Sequence, residues 1–470
     1  MNDQLAENPY GASFRISIAV LVVLAALGLS MIFRPWVVIG PIIGAAVVLV
    51  LLKRPTAVLG LFLAWMPFEF LAVMSGRFFD VPLIDVVSKS KEPLLLLLVL
   101  ILWWRNGLRL AAPDWFLLAF FAIGVIRKAF GGNYFAFLDD FAFLLPYFAG
   151  RVTVLTASQE RLWAKCAVWI VGVLAVAGTL ELFVIGDQPR TLLYLALGST
   201  IDVEYGGLTS SFHGTGYSGL REASTMLGPP EFGALCMITL IIWWVYRENR
   251  LAGGMVATGL VCAVTRSAWL GAAVAIFVLA IAMKQTKRLV LYATLALALF
   301  AVSIPVLGLS DYLFFTKTGQ DPSAQWRKET IATGMQYLVD HPFGTGPGSI
   351  GGRALNTDKN ALVLETSYLA FGGQYGIVAL LSFLGFFVSA FRRLWRERSS
   401  LSYAASGIIL AFSLMMIVFI LHTDFRLNCW VWFPLGLSLR QATMNPLASG
   451  FNPLQNIKGQ VEALDSGEAQ

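Results

Sequence analysis

Three arginines, a glutamate and a histidine stand in or beside the apolar runs of this sequence. Arg266 interrupts the apolar run from Leu251 to Met283, at the end opposite the basic cluster KQTKR. An arginine at membrane depth is costly and marks a functional site, unless it is a helix end whose side chain snorkels to the interface. Arg221 lies just before an apolar helix expected near Pro229, whose N-terminal N–H groups would add partial positive charge. Arg327 lies in a polar segment beside Lys328, which reads as a solvated charge. The guanidinium group is planar, always charged, and grips oxyanions two oxygens at a time. Glu365 opens the apolar segment ETSYLAFGGQYGI. A carboxyl at a protein–membrane boundary has a raised pKa, which suits proton transfer. The bland alternative is an acid favoured by the helix dipole. His422, in LHTDFR, falls at a helix end that can border the same cavity, whereas His341 before Pro342 reads as structural.

These side chains must be positioned by membrane-embedded elements. The chain is 57% hydrophobic and only 13% charged, with a mean hydropathy of +0.71. Soluble domains carry roughly 25% charged residues. Apolar runs such as Ile16–Phe33, Trp36–Leu52, Ala167–Ile185 and Leu289–Leu307 approach the ~18–20 residues that span a bilayer. Lipid offers backbone groups no partners, so these runs must form helices or a closed barrel, and continuous rather than alternating hydrophobicity selects helices. The expected fold is all-α, with about 12–14 transmembrane helices in a single polytopic domain over residues 1–440. Runs at Asp80–Trp104, Tyr134–Ala149 and Leu251–Met283 are expected to hide breaks or half-helices. The first helix is expected to stay, because MNDQLAENPYGASFR lacks a basic leader and a cleavage site.

Cys166, Cys236, Cys262 and Cys429 are scattered through apolar segments without a CxxC pair, which suggests small buried hydrophobes rather than zinc ligands or disulfides. No acidic pair offers a metal site, so no metal and no cofactor are expected. The net charge of +6 reads as cytoplasmic loops rather than a nucleic-acid surface. Basic connections recur at Lys53–Arg54, Arg105–Arg109, Arg151–Lys165, Arg247–Arg250, Lys284–Arg288 and Arg392–Arg398. Placing them on the cytoplasmic side leaves two long polar loops, about 186–227 and 310–363, on the outer face. It also leaves a polar, disordered cytoplasmic tail at 441–470. Intramembrane acids at Glu69 and Glu181 are candidates to orient arginines, and Asp139 and Asp140 to pair with Arg127 or Lys128.

The second loop has its own pattern. DPSAQWRKETIATGMQYLVDHP reads as an amphipathic helix with Ser323 as N-cap and an apolar stripe Ile331, Met335, Leu338. Pro342 ends it, and GTGPGSIGG turns the chain through Gly344, Gly346 and Gly348, since glycine tolerates positive φ. This arrangement reads as a lid helix and lid turn over a cavity, or as an ordinary helix–turn connection.

DHPFGTGPGS followed by ETSYLAFGGQYGIVALLSFL resembles the signature of the O-antigen ligase and Wzy-type polysaccharide polymerase superfamily. Arg327 occupies that family's arginine position before the motif. TRSAWLGAAVAIFVLAI and GLREASTMLGPPEFGAL resemble its two earlier motifs, with Arg266, Arg221 and Pro230 in the matching places. The resemblance is specific over about 219–381. It implies a membrane glycosyltransferase that takes glycans from a polyprenyl diphosphate carrier on the outer face of the bacterial inner membrane. By that likeness Arg221 and Arg266 hold the donor diphosphate and Glu365 is the general base. Arg327, Tyr368, His422 and Trp326 would contact substrate, the aromatics by stacking on sugar faces. Chain-length-regulating and export proteins are the implied protein partners. The ligases carry histidine at the Glu365 position, a departure that favours a metal-independent, inverting polymerase over a ligase. A flippase is the distant alternative, set back by the lack of an internal repeat.

Overall fold

The computed structural model describes residues 52–78, 83–185, 224–226, 228–306, 322–351, 362–364 and 366–444. Among these residues it is all-α, without strands. The helices are α1 (Pro55–Phe78), α2 (Leu83–Asn106), α3 (Ala112–Ala129), α4 (Tyr134–Phe141), α5 (Leu144–Val152) and α6 (Ala157–Leu180), the last running on into a π-helical turn, Glu181–Ile185. They continue as α7 (Pro229–Tyr246), α8 (Arg250–Cys262), α9 (Arg266–Ala282) and α10 (Thr286–Val306). Then follow α11 (Pro322–Asp340), α12 (Ser367–Tyr375), α13 (Ile377–Glu397), α14 (Ser400–Met415) and α15 (Phe425–Met444). Five helices among the described residues are long and apolar enough to cross a membrane, and α8, α9 and α14 are shorter apolar helices. The chain is a polytopic all-α membrane protein. The expected spans within 1–51, most of the first long loop and the tail beyond Met444 lie outside the described residues.

The helices run between two chemically different ends. Arg247 and Arg398 cap α7 and α13 at the basic end, and Lys284 follows the Met283 cap of α9. There Arg440 donates to the carbonyls of Asn106 (2.9 Å), Gly107 (2.9 Å) and Arg151 (2.8 Å), knitting the C-termini of α2 and α5 to α15. A cation suits helix C-termini, where unpaired carbonyls carry partial negative charge. Arg151, expected in a basic connection, is fully buried at the end of α5. Its guanidinium grips Asp114 with Nη2–Oδ2 at 2.8 Å and Nε–Oδ1 at 3.0 Å, and Tyr147 Oη donates to the same carboxylate at 2.6 Å. Between the ends, α5 and α15 touch backbone to backbone. A Cβ on Gly150 would lie 2.2 Å from the Phe433 carbonyl oxygen, and one on Gly436 2.1 Å from that of Tyr147. Small residues permit this approach where no hydrophobic effect drives helices together. Beside them Phe143 stacks on Trp432 with centroids 4.4 Å apart, and Phe120, Phe371 and Phe383 fill the layer above.

Two expected breaks are present. The run Tyr134–Ala149 splits into α4 and α5, and the run 251–283 splits into α8 and α9 at residues 263–265. In the third run, residues 80–82 lie outside the described residues, and from Leu83 on α2 is continuous to Asn106 with Pro93 inside it. In α11, Pro322 is already helical, so Ser323 lies within the first turn rather than capping it. The expected stripe is also corrected. Leu338 is buried, but Ile331 and Met335 are exposed. The packed face is Thr330, Gly334 and Leu338, because the small residues let Leu364 and Leu369 come within about 3 Å of the Gly334 Cβ position.

The glycine-rich turn is wedged between two elements. On one side, Thr345 N–H bonds the Gly373 carbonyl (2.9 Å), Gly346 N–H that of Gln374 (2.9 Å), and Ile377 N–H that of Pro342 (2.9 Å). The buried Gln374 side chain accepts from Gly348 N–H at 2.6 Å. On the other side, Asn133 N–H bonds the Pro347 carbonyl at 2.7 Å, and Arg127 donates to the Gly344 carbonyl. Gly344, Gly346 and Gly348 have φ of +77°, +101° and +77°. A Cβ on Gly344 would sit 2.5 Å from the Gln374 carbonyl oxygen, whereas the nearest atom to one on Gly346 is 3.4 Å away.

Two outcomes follow for stability. Asp114→Ala strands Arg151 in the interior and should cost about 3–5 kcal/mol, read as a lower melting temperature in detergent; unchanged melting contradicts the buried pair. Gly346→Ala should cost only the left-handed backbone, about 1–2 kcal/mol. Gly344→Ala should add a backbone clash of about 1–3 kcal/mol. Equal melting of the two variants contradicts the packing of the turn.

Candidate active site

The opposite end gathers the helix breaks. Ser367, the first residue of α12, is wholly buried. Its N–H bonds the Met416 carbonyl at 3.0 Å, and Thr366 Oγ1 donates to the same oxygen at 3.3 Å. Ser367 Oγ donates to the Phe419 carbonyl at 2.8 Å. The chain just after position 365 is therefore tied to the C-terminal end of α14, and Leu364 and Thr366 are both buried.

His422, 1% exposed, is built into this joint rather than turned to solvent. Its Nδ1 lies 3.1 Å from Ser367 Oγ, and its ring packs on Phe371 at 4.0 Å between centroids. Because the serine proton is directed at Phe419, Nδ1 must donate. Nε2 then faces Asp140 Oδ1 at 3.4 Å, and Asp140 Oδ2 accepts from Tyr375 Oη at 2.7 Å. The expected pairing of Asp140 with Arg127 or Lys128 is corrected: Arg127 reaches the turn carbonyl of Gly344 instead, and α4 directs Asp140 inward to Tyr375 and His422.

Arg266 opens α9, and Thr265 before it donates from Oγ1 to the Pro229 carbonyl at 3.3 Å. The N-termini of α7 and α9 are thus neighbours. Antiparallel α9 and α14 touch at Gly271 and Ala411. Five residues along each, about 7.5 Å on, α9 begins at Arg266 and α14 gives way to Met416, which binds Ser367. Arg266 accordingly stands at the level of the α12 start. Arg327, on α11, lies over the Phe419 ring with its guanidinium carbon 5.4 Å from the centroid. Tyr368 is half-buried, and its hydroxyl donates to the Ser413 carbonyl at 3.0 Å. Glu365, Arg221 and the Trp326 side chain lie outside the described residues. Ser224, three positions after Arg221, donates to the Leu174 carbonyl at 2.8 Å.

Beside this joint is a charged cluster that the sequence foreshadows only through Glu69. That acid binds Lys91 at 3.0 Å and Arg426 at 3.5 Å, and Arg426 binds Asp424 at 3.1 Å. Asp424 and Arg426 sit in the same LHTDFR stretch as His422, so Glu69 does orient an arginine, as expected. Lys91 and Gln374 carried no signal, because a single polar residue in an apolar run does not reveal its partner.

What the arrangement offers chemically is a guanidinium at a double helix N-terminus, a second guanidinium on α11, and a firmly bonded backbone at Thr366 and Ser367. Residues 251–384 match the family model described as O-antigen ligase. No curated protein matches the chain. The matched span runs from α8 into α13 and takes in Arg266, Arg327, the glycine-rich turn and position 365, with Arg221 and His422 outside it. The match over residues 251–384 agrees with the chain's own motifs and supports the O-antigen ligase/Wzy-type superfamily.

Proposed function

We propose that this membrane protein is a glycosyltransferase that polymerises lipid-linked oligosaccharide repeat units. It would transfer a growing glycan from its polyprenyl diphosphate carrier to a sugar hydroxyl of a second lipid-linked unit. What supports this reading is that Arg266 opens α9 five residues from its Gly271–Ala411 contact with α14, as far as Met416, which accepts from Ser367 N–H, and that Arg327 lies over Phe419. Arg266, with Arg221, holds the donor diphosphate as the glycosidic bond breaks; fixed cations aimed at developing charge are commonly the largest catalytic contribution. The N-termini of α7 and α9 add to the same field. Glu365 takes the proton from the attacking hydroxyl. Attack opposite the diphosphate inverts the anomeric centre, giving a β linkage from an α-linked carrier. Arg327 steadies the outer part of the substrate, and α11 shields the site from water, which would otherwise hydrolyse the donor. The basic end faces the cytoplasm by the positive-inside rule, so the site faces the periplasm of a bacterial inner membrane.

The matched family's description favours a second reading, a ligase that moves a finished glycan to a lipid or protein acceptor. Glutamate in place of the ligases' histidine favours the polymerase. Purified protein supplied with lipid-linked repeat units separates the two: a ladder on a gel supports polymerisation, and no extension without a separate acceptor supports ligation.

Glu365→Gln keeps size but accepts no proton, so it should retain donor binding and lose ~10²–10⁴ in rate. Wild-type polymer per folded protein from this variant would move the base elsewhere. Arg266→Lys keeps charge and loses the paired geometry, and activity should fall about 10- to 1,000-fold. Normal polymer from both Arg266→Lys and Arg266→Ala would reduce the arginine to a snorkelling helix end.

A further inference from the structure

The strongest unassigned feature lies at the basic end, far from the candidate active site. A cavity of about 700 Å³ opens between the α7–α8 and α9–α10 connections. Arg247, Arg250, Lys284, Lys287 and Arg288 line it, with Glu248 as the single acid in its wall. None of the five cations has an ion pair among the described residues. Helix dipoles account for two of them: Arg247 and Lys284 sit at the C-terminal ends of α7 and α9. They do not account for the others. Arg250 opens α8, and Lys287 and Arg288 fall in the first turn of α10, where the dipole is itself positive.

The cations are also held in place. Trp243 Nε1 donates to the Glu248 and Asn249 carbonyls at 3.1 and 3.2 Å, which fixes the α7–α8 turn. Arg288 is braced by aromatic faces, its guanidinium carbon 5.3 Å from the Trp244 centroid, 5.6 Å from Tyr292 and 5.9 Å from Trp243. Like charges converging on one cavity repel unless an anion joins them.

The surroundings identify the kind of anion. Val290, Leu291 and Leu295 on α10 and Leu251 on α8 are more than half exposed just beyond the cavity. An apolar outer face on a membrane-spanning helix meets acyl chains. A phosphate in the cavity therefore sits at headgroup level with hydrocarbon alongside it. We propose that this cavity binds the headgroup of an anionic phospholipid, its phosphate held by the five cations and its acyl chains lying along α10.

The test uses the full-length protein in nanodiscs of phosphatidylcholine with and without cardiolipin, reading melting temperature and, by native mass spectrometry, retained lipid. Cardiolipin should raise the melting temperature and stay bound through delipidation. Arg247→Gln/Lys287→Gln spares the aromatic brace and should bind cardiolipin about 30-fold more weakly, at about 1 kcal/mol per lost cation. If the double variant does not fold, Arg250→Gln alone should weaken binding about fivefold. Equal retention by wild type and a folded variant, or no preference for cardiolipin over phosphatidylcholine, overturns the site. The same stabilisation by inorganic phosphate without cardiolipin overturns the lipid source.

Discussion

A backbone that leaves the helix inside a bilayer must find its hydrogen-bond partners within the protein. This chain leaves the helix repeatedly at one end, and each break is answered by another. The turn after α11 bonds the end of α12 and the α3–α4 connection. The start of α12 bonds the end of α14. The break before α9 bonds the start of α7. Mutual satisfaction of broken ends brings residues far apart in sequence to one level, and the candidate site is made of what stands beside those breaks.

Buried polar groups do the rest of the positioning. At the basic end Asp114, Tyr147, Arg151 and Arg440 tie α2, α3, α5 and α15. At the other end Asp140, Tyr375, His422 and Ser367 tie α4, α12 and the segment before α15. In a low-dielectric interior a half-satisfied network is expensive, so such sets admit few alternative packings. The two networks differ in kind: the first is a charged pair with matched geometry, the second joins a histidine, an aspartate, a tyrosine and a serine.

Much of this was legible in the sequence, for physical reasons. Continuous apolar runs between basic connections announce helices that share a polarity of ends, and the breaks at 142–143 and 263–265 show in Asp139–Asp140 and in Thr265–Arg266. The pattern of α11 is different, because its apolar stripe is not its buried face. A helix at a membrane can expose Ile331 and Met335 and bury Thr330 and Gly334. Partners were the least legible. Asp140 is 235 residues from Tyr375, and nothing local distinguishes that partner from the nearer Arg127. Gln374 acts through a backbone N–H, Lys91 through a distant acid and Arg440 through backbone carbonyls, which leave no mark in spacing.

The central claim is that the donor diphosphate sits at the end of the molecule where Arg266 and the start of α12 share a level. A structure of the full-length protein with a non-hydrolysable lipid diphosphate glycan locates that group directly. The account predicts diphosphate density within reach of the Arg266 guanidinium, with the first sugar facing the segment that joins Leu364 to Thr366. Diphosphate density elsewhere, above all among Arg247, Lys284 and Arg288 at the basic end, would contradict it.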